Sequence, residues 1–335
     1  MNMHADEKSD EGVVPMKQPN KEGLPSAEAV EGRTSPKGNG GQATVVRTQR
    51  RVPTSNGLAA VRQAARQSKE VRFTALLHHI TIDRLRQSYI ALKRDAAPGI
   101  DGVTWRSYGD HLDEKLKDLH DRVHKGSYRA RPAKRTYIPK ADGSERPLSV
   151  WCLEDKIVQH AVARVLEAIY EEDFVGFSYG FRPGRGQHDA LDALQVGILR
   201  KRVDWVLDAD IQGFFDAMSH DWIIRFLKHR IADKRILRLI AKWLKVGIVE
   251  DGCVTRSARG APQGAVISPI LANVYLHYVY DLWVHRWRRT TATGDVIVIR
   301  YADDTIVGFQ QEHEATAFLE DLKERLRLFD PVSYT

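Results

Sequence analysis

Cysteine is nearly absent: Cys152 and Cys253 are the only two in 335 residues, and they lie far apart in sequence. Neither a disulfide framework nor a cysteine-built zinc site is therefore expected, and the unpaired thiols suit a reducing, cytoplasmic setting. No apolar run approaches the ~20 residues needed to cross a bilayer, so no membrane partner is expected. The opening MNMHADEKSDEG also lacks the apolar centre of a secretory signal. Bulky side chains are missing from one whole segment: residues 1–57 contain no Phe, Trp, Tyr or Ile, while 12 of the 57 are Gly or Pro. With so little to bury, the entropy of ordering is not offset, and this segment is expected to be a disordered tail.

The chain as a whole is 42% hydrophobic and 28% charged, enough for a sizeable core and far from collagen-like, rod-like or wholly disordered composition. Its net charge of +7 is unevenly spread. Residues 1–57 carry 8 basic and 7 acidic groups, residues 58–140 carry 18 and 9, and residues 141–335 carry 25 and 28. One basic stretch thus precedes a mildly acidic body. That asymmetry suits a polyanion-binding surface beside an acidic, metal-using centre, or else a set of solvated helix faces.

Helical spacing runs from Leu58 to Lys93, with Arg62, Arg66, Lys69 and Arg72 three or four residues apart, until Ala97-Pro98-Gly99-Ile100-Asp101-Gly102 breaks it. A second helix is expected over 107–125. Lys134–Pro139 and Arg146–Val150 flank Asp142-Gly143, a hairpin signal. Helices are expected at 154–170, 187–200, 220–230 and 234–246, with a short apolar strand over Val203–Asp210 between them. Ser268-Pro269 reads as a helix start, with Ser268 as N-cap, and that helix runs to Arg288. Two β-type runs follow, Val296–Tyr301 and Thr305–Phe309, separated by Ala302-Asp303-Asp304, and then a helix over 312–329. Interleaved helices and strands argue for an α+β fold.

The acidic residues sit where acids are costly. Val296–Tyr301 is apolar enough to be buried, yet it ends in two adjacent carboxylates, which repel unless a cation or solvent answers them. Period-two alternation puts Asp208 and Asp210 on one face of their strand. If the two strands are neighbours, carboxylates converge in an arrangement that suits Mg²⁺. Two such ions ~3.5–4 Å apart would activate a 3′-hydroxyl and stabilise leaving pyrophosphate. A Tyr-x-Asp-Asp string alone is weak evidence, because Asp-Asp is also good turn chemistry.

Taken in order, these blocks resemble the group II intron-encoded reverse transcriptase/maturases over residues 68–330. Ala97–Gly102 is similar to the family's first block. Tyr137-Ile138-Pro139-Lys140 with Arg146-Pro147-Leu148 resembles its fingers hairpin, continued by Asp155–Gln159 and by Tyr179-Gly180-Phe181-Arg182-Pro183-Gly184. Asp210-Ile211 followed by Phe214-Phe215-Asp216 resembles polymerase motif A. Gly260-Ala261-Pro262-Gln263-Gly264 with Ser268-Pro269 and Asn273 resembles motif B, and Tyr301–Asp304 resembles motif C.

The resemblance implies a right-hand polymerase with fingers and palm that copies an RNA template onto a DNA primer from dNTPs, using two Mg²⁺ ions. Asp210, Asp303 and Asp304 would hold the ions, helped by the Ile211 carbonyl, with Asp208 an acidic neighbour. Phe215 would exclude a ribose 2′-hydroxyl or serve as a core aromatic. Lys140 and Arg146 would neutralise the triphosphate or lie on a solvated face. Gln263 would line the nucleotide, and Arg182 would contact template or hold the fold. The basic stretch, with Arg62, Arg66, Lys69 and Arg72, would grip template and intron RNA through salt-sensitive phosphate contacts.

The domain reading is a tail over 1–57, a basic extension and start of the fingers over 58–130, and fingers with an incomplete palm over 131–335. No thumb, maturase or endonuclease block is recognised after Phe329, so the chain reads as truncated and weak or inactive. The competing readings are a non-catalytic RNA-binding remnant and a reverse transcriptase of the retron or diversity-generating type.

Overall fold

Tertiary contacts break the amino-terminal helical stretch in two, as a computed structural model shows. It describes residues 55–329 except 140–142, 144, 212 and 262–263. The tail expected over 1–57 therefore lies outside the described residues up to position 54. α1 (Ser55–Gln67) turns Val61 and Ala65 inward. A 3₁₀ turn (Leu77–His79) comes next, then α2 (Ile82–Ala91), whose N-cap Thr81 accepts the Arg84 N–H. Between the helices, Phe73 bridges Ile231, and the Asp233 carboxylate accepts the Leu76 and Leu77 N–H groups at 2.8 and 3.0 Å. Those long-range bonds take the backbone groups a continuous helix would need, which overrides local propensity.

α3 (Trp105–Gly109) and α4 (Leu112–Lys125) replace the single helix expected over 107–125. β1 (Ala133–Pro139) and β2 (Glu145–Val150) form the anticipated hairpin, with Lys134 opposite Val150 and Ile138 opposite Arg146. α5 (Leu153–Tyr170) is buried at thirteen of its eighteen positions, which makes it a core helix rather than an amphipathic cover. Next come α6 (Gln187–Arg200), β3 (Trp205–Asp210), α7 (Phe214–Ala217), α8 (His220–Arg230) and α9 (Lys234–Lys245).

A second hairpin, β4 (Ile248–Glu250) with β5 (Cys253–Thr255), was not anticipated. Three-residue strands are too short to show alternation, though Asp251-Gly252, both at positive φ, is the dipeptide such a turn favours. α10 (Ser268–Leu276) has Pro269 in its first turn, but Ile267 rather than Ser268 is the capping residue. A π-helical turn (His277–Asp281) joins it to α11 (Leu282–Thr290), and β6 (Val296–Tyr301), β7 (Asp304–Phe309) and α12 (Glu312–Arg327) complete the described chain.

The architecture is the expected α+β. One sheet runs β2–β1–β4–β5, with β1 and β4 parallel; the other is antiparallel and runs β3–β7–β6. Phe309 points to one side of the second sheet, where its ring meets Phe318 of α12. α6 covers β6 on the opposite side, with Gly197 tight against Ile297. The β3 part of that side stays open, carrying Val206, Asp208 and Asp210 exposed. A continuous apolar core extends from Val61 to Phe329. Among the described residues, no helix is long and apolar enough to cross a membrane.

Candidate active site

β3 and β7 lie side by side in a register that sets Asp210 opposite Asp304, Ala209 opposite Thr305 and Asp208 opposite Ile306. Facing residues in such a ladder have Cα atoms about 4.5–5.5 Å apart. Tyr301 is paired with Asp304 on the other side, so the β6–β7 turn consists of Ala302 and Asp303 alone. The turn is one residue shorter than expected, because Asp304 is a strand residue. The three acids, far apart in the chain, thus gather at one end of one sheet.

The turn is tight. Ala302 adopts a left-handed backbone, φ 58°, uncommon for a residue with a side chain. Its amide is pressed against Gly180, where a Cβ would lie 2.2 Å from the Ala302 nitrogen. Only glycine allows the 179–184 segment so close to the acidic turn.

Burial first, and then the negative charges of Asp303, Asp210 and Asp208, push the Asp304 carboxyl above the ordinary carboxylate range. Asp208, the last and smallest of these charges, acts on Asp304 as an acidic neighbour. Among the described residues, no three such side chains close into a ready-made metal cage. The fit of an ion rests instead on the donor set: oxygen ligands only, two of them in cross-strand register and a third on the adjoining turn. Mg²⁺ is commonly held in this way, by one or two carboxylates completed by water and substrate phosphates. Ile211, buried directly after Asp210, accepts the Phe214 N–H through its carbonyl at 3.1 Å, and a carbonyl oxygen can accept more than one partner.

Motifs A and B are laced together beside the acids. The Ala261 N–H donates to the Phe215 carbonyl at 2.7 Å, and the Gly260 N–H to Met218 at 2.8 Å. Gly264, at φ 98°, lets this loop cross the β2 backbone, where a Cβ would lie 2.6 Å from the Ser149 carbonyl. The Phe215 ring is half-buried, edge-on to Phe214 and to Phe181. Phe181 has no role in the sequence reading, yet it is 49% exposed and held at φ 60°. A bulky aromatic in that conformation beside a binding surface is a candidate contact residue. Lys140 and Gln263 lie outside the described residues. Arg146 is described through its backbone, which pairs with Ile138.

Residues 138–329 match the family model described as reverse transcriptase (RNA-dependent DNA polymerase). The chain belongs to the reverse transcriptase family. Its similar proteins include Protein YkfC of Escherichia coli (strain K12), 35% identical over 238 residues, which cover 63% of this chain and 62% of YkfC. The group II intron-encoded protein LtrA of Lactococcus lactis subsp. cremoris is 38% identical over 166 residues, 49% of this chain and 27% of LtrA. A protein in the cob intron of Schizosaccharomyces pombe is 39% identical over 172 residues, 50% of this chain and 21% of that protein. The matched region thus spans under two thirds of YkfC and about a quarter of LtrA. These relatives bear out the resemblance to group II intron reverse transcriptase/maturases. The mixed helix-and-sheet fold, with its β2–β1–β4–β5 and β3–β7–β6 sheets, is consistent with the fingers and palm of that family.

Of the two roles open to Arg182, template contact and holding the fold, the geometry favours the second. The Arg182 side chain is 4% exposed and spends its donors on Glu171 at 3.0 and 3.1 Å and on the Val175 and Ser178 carbonyls at 2.8 Å. It holds the fold and has no face left for template. Arg62 and Arg66 are exposed but share one carboxylate, Glu172, at 3.7 and 2.9 Å. Arg72 donates to the Lys228 carbonyl at 3.1 Å, and Lys69 is exposed.

Proposed function

We propose that this chain carries the polymerase centre of a group II intron-type reverse transcriptase and joins a dNTP to a primer 3′-OH on an RNA template. The observation that carries this reading is the cross-strand pairing of Asp210 with Asp304 beside the Ala302-Asp303 turn. Asp210, Asp303 and Asp304 would hold two Mg²⁺ ions, with the Ile211 carbonyl as a further ligand. When bound, such ions lower the pKa of the primer hydroxyl and neutralise charge on the triphosphate. In the reaction the primer 3′-oxygen bonds to the α-phosphorus while the bond to pyrophosphate breaks, and the hydroxyl proton leaves to solvent.

The chain's own residues would position the reactants. Phe215, wedged between Phe214 and Phe181, would crowd the space a ribose 2′-hydroxyl needs. Lys140 and Arg146 would meet the triphosphate and Gln263 the nucleotide, beside the backbone of motif B. The exposed arginines of α1 with Lys69 and Arg72 would contact the phosphates of template or intron RNA.

The test is primer extension on an RNA template with and without Mg²⁺, comparing the wild-type chain with Asp303→Ala/Asp304→Ala. The reading expects Mg²⁺-dependent extension that the double substitution reduces at least about a thousandfold. RNA binding without extension, unchanged by the substitution, would instead favour a non-catalytic RNA-binding protein.

A further inference from the structure

Behind the acidic turn, Arg300 is buried near the end of β6 with all five of its N–H donors engaged. Nε and Nη2 donate to the two Asp281 oxygens at 2.6 and 2.7 Å, and Nη2 also reaches Ser178 Oγ at 2.7 Å. Nη1 donates to Asn273 Oδ1 at 3.3 Å and to the Ala302 carbonyl at 2.7 Å. These four acceptors come from four parts of the palm: the π-helical turn, α10, the segment before Gly180, and the acidic turn itself. Asn273 closes the circuit, because its Nδ2 donates to the Gly180 carbonyl at 2.8 Å.

The π-helical turn has a physical reason in this circuit. It inserts one residue into the helical ladder, and an unbroken α-helix would carry position 281 about 100° round the axis, away from Arg300. Asp281 is fully buried, and the nearby His277 Nδ1 stands 4.0 Å from its carboxylate. A planar guanidinium can serve acceptors on several sides at once, whereas a lysine ammonium, with three donors, cannot.

We propose that Arg300, held by Asp281 and Asn273, is the positioning residue of the acidic turn, fixing the Ala302 carbonyl and so the left-handed backbone that aims Asp303 and Asp304 toward Asp210. The inference rests on the reading of those three aspartates as ion-holding groups. Arg300 itself is buried, with its donors spent on protein acceptors. Its effect is on geometry, and a misplacement of ~1 Å at a reacting centre costs about a hundredfold in rate.

Three measurements on Arg300→Lys and the milder Asn273→Ala test it. The first is hydrogen exchange at residues 301–304, the second Mn²⁺ affinity by electron paramagnetic resonance, the third single-turnover primer extension. Both variants are expected to exchange faster at the turn while β3 and α12 stay protected. They should also bind Mn²⁺ more weakly and extend ten- to hundredfold more slowly, with the KM for dNTP within about threefold of wild type. Arg300→Lys that fails to fold leaves Asn273→Ala to decide the matter. A folded variant with wild-type exchange, Mn²⁺ affinity and rate overturns the proposal. If the wild-type chain neither binds Mn²⁺ nor extends primer, the polymerase reading fails. Hydrogen exchange at the turn, which needs neither, then still decides whether Arg300 holds it.

Discussion

Replacing Gly180 with alanine would place a methyl carbon 2.2 Å from the Ala302 nitrogen and 2.9 Å from both Ala302 Cα and the Tyr301 carbonyl carbon. All three neighbours are backbone, so no flexible side chain can swing away. Restoring ordinary contact at ~3.5 Å requires a shift of roughly 1 Å between the two segments. If the shift is resisted, the cost is that of overpacking, about 1–3 kcal/mol, and the rigidity of both partners favours the upper end. If the acidic turn yields, Asp303 and Asp304 move by roughly 1 Å, which costs about a hundredfold in rate. Thermal unfolding and single-turnover primer extension read the two terms separately. Gly180→Ala is expected to melt several degrees lower and to extend about a hundredfold more slowly, with RNA affinity unchanged because α1 is untouched. Gly184→Asn is the control: Gly184 has φ 71° and nothing within 4 Å of its would-be Cβ, and asparagine tolerates that backbone. The reasoning fails if Gly180→Ala keeps wild-type melting and rate. It also fails if stability drops while the rate, measured well below the transition, does not.

Asp304 gives a pH-dependent prediction. Its folded pKa is raised, so its ionised form destabilises the fold above that value, and the penalty is relieved as pH falls through it. Asp304→Asn should therefore melt higher than wild type at pH 7 without Mg²⁺, by an amount that shrinks toward pH 4; a constant difference would refute the assignment. Away from the acidic turn, the Tyr128 hydroxyl donates to Asp155 and accepts the Trp243 indole N–H at 2.9 Å, while burial pushes Asp155 up to about 6. Tyr128→Phe leaves both partners short and should cost about 2 kcal/mol in denaturant unfolding, most above pH 6 where the carboxylate is ionised. A loss below about 0.5 kcal/mol would show that neither bond matters. Neutralising Arg62, Arg66, Lys69 and Arg72 together should flatten the salt dependence of RNA affinity, each phosphate contact contributing a slope of roughly 0.7–0.9. An unchanged slope would remove this face as a contact surface.

Much of the fold was legible because its signals are local. β6 opens with four consecutive apolar residues, α6 and α8 show helical spacing within short windows, and the Asp142-Gly143 dipeptide announces the first hairpin. The acidic turn was legible for a related reason: two adjacent carboxylates after the buried β6 strand conflict with burial, and such a conflict points to a site. What was missed depends on partners distant in sequence. Nothing between Lys69 and Ile82 says that Phe73 will pair with Ile231 or that Asp233 will take the Leu76 and Leu77 amides. For Arg182 the choice between template contact and holding the fold stays open in the sequence, because a sequence displays charge but not burial.

The same limit separates the groups proposed to hold an ion from the groups that would hold those groups. Asp210, Asp303 and Asp304 can be named from the family motifs they fall in, although residue type and spacing alone leave Asp208 beside Asp210 and ordinary turn chemistry for Asp303-Asp304. Arg300 and Asp281 cannot, because an arginine in an apolar strand and an aspartate inside a helix each look like a solvated side chain until the π-helical turn brings them to 2.6 Å. A buried pair of this kind is weak evidence for stability, because desolvation offsets much of its attraction. Its geometry is better evidence for positioning: five donors meet acceptors from four separate segments, one of them the carbonyl of the residue in the left-handed turn. If the pair served only to stabilise the core, an apolar pair of similar volume could replace it at no cost to catalysis. If it holds the turn, no apolar pair can, because the Ala302 carbonyl would lose its donor.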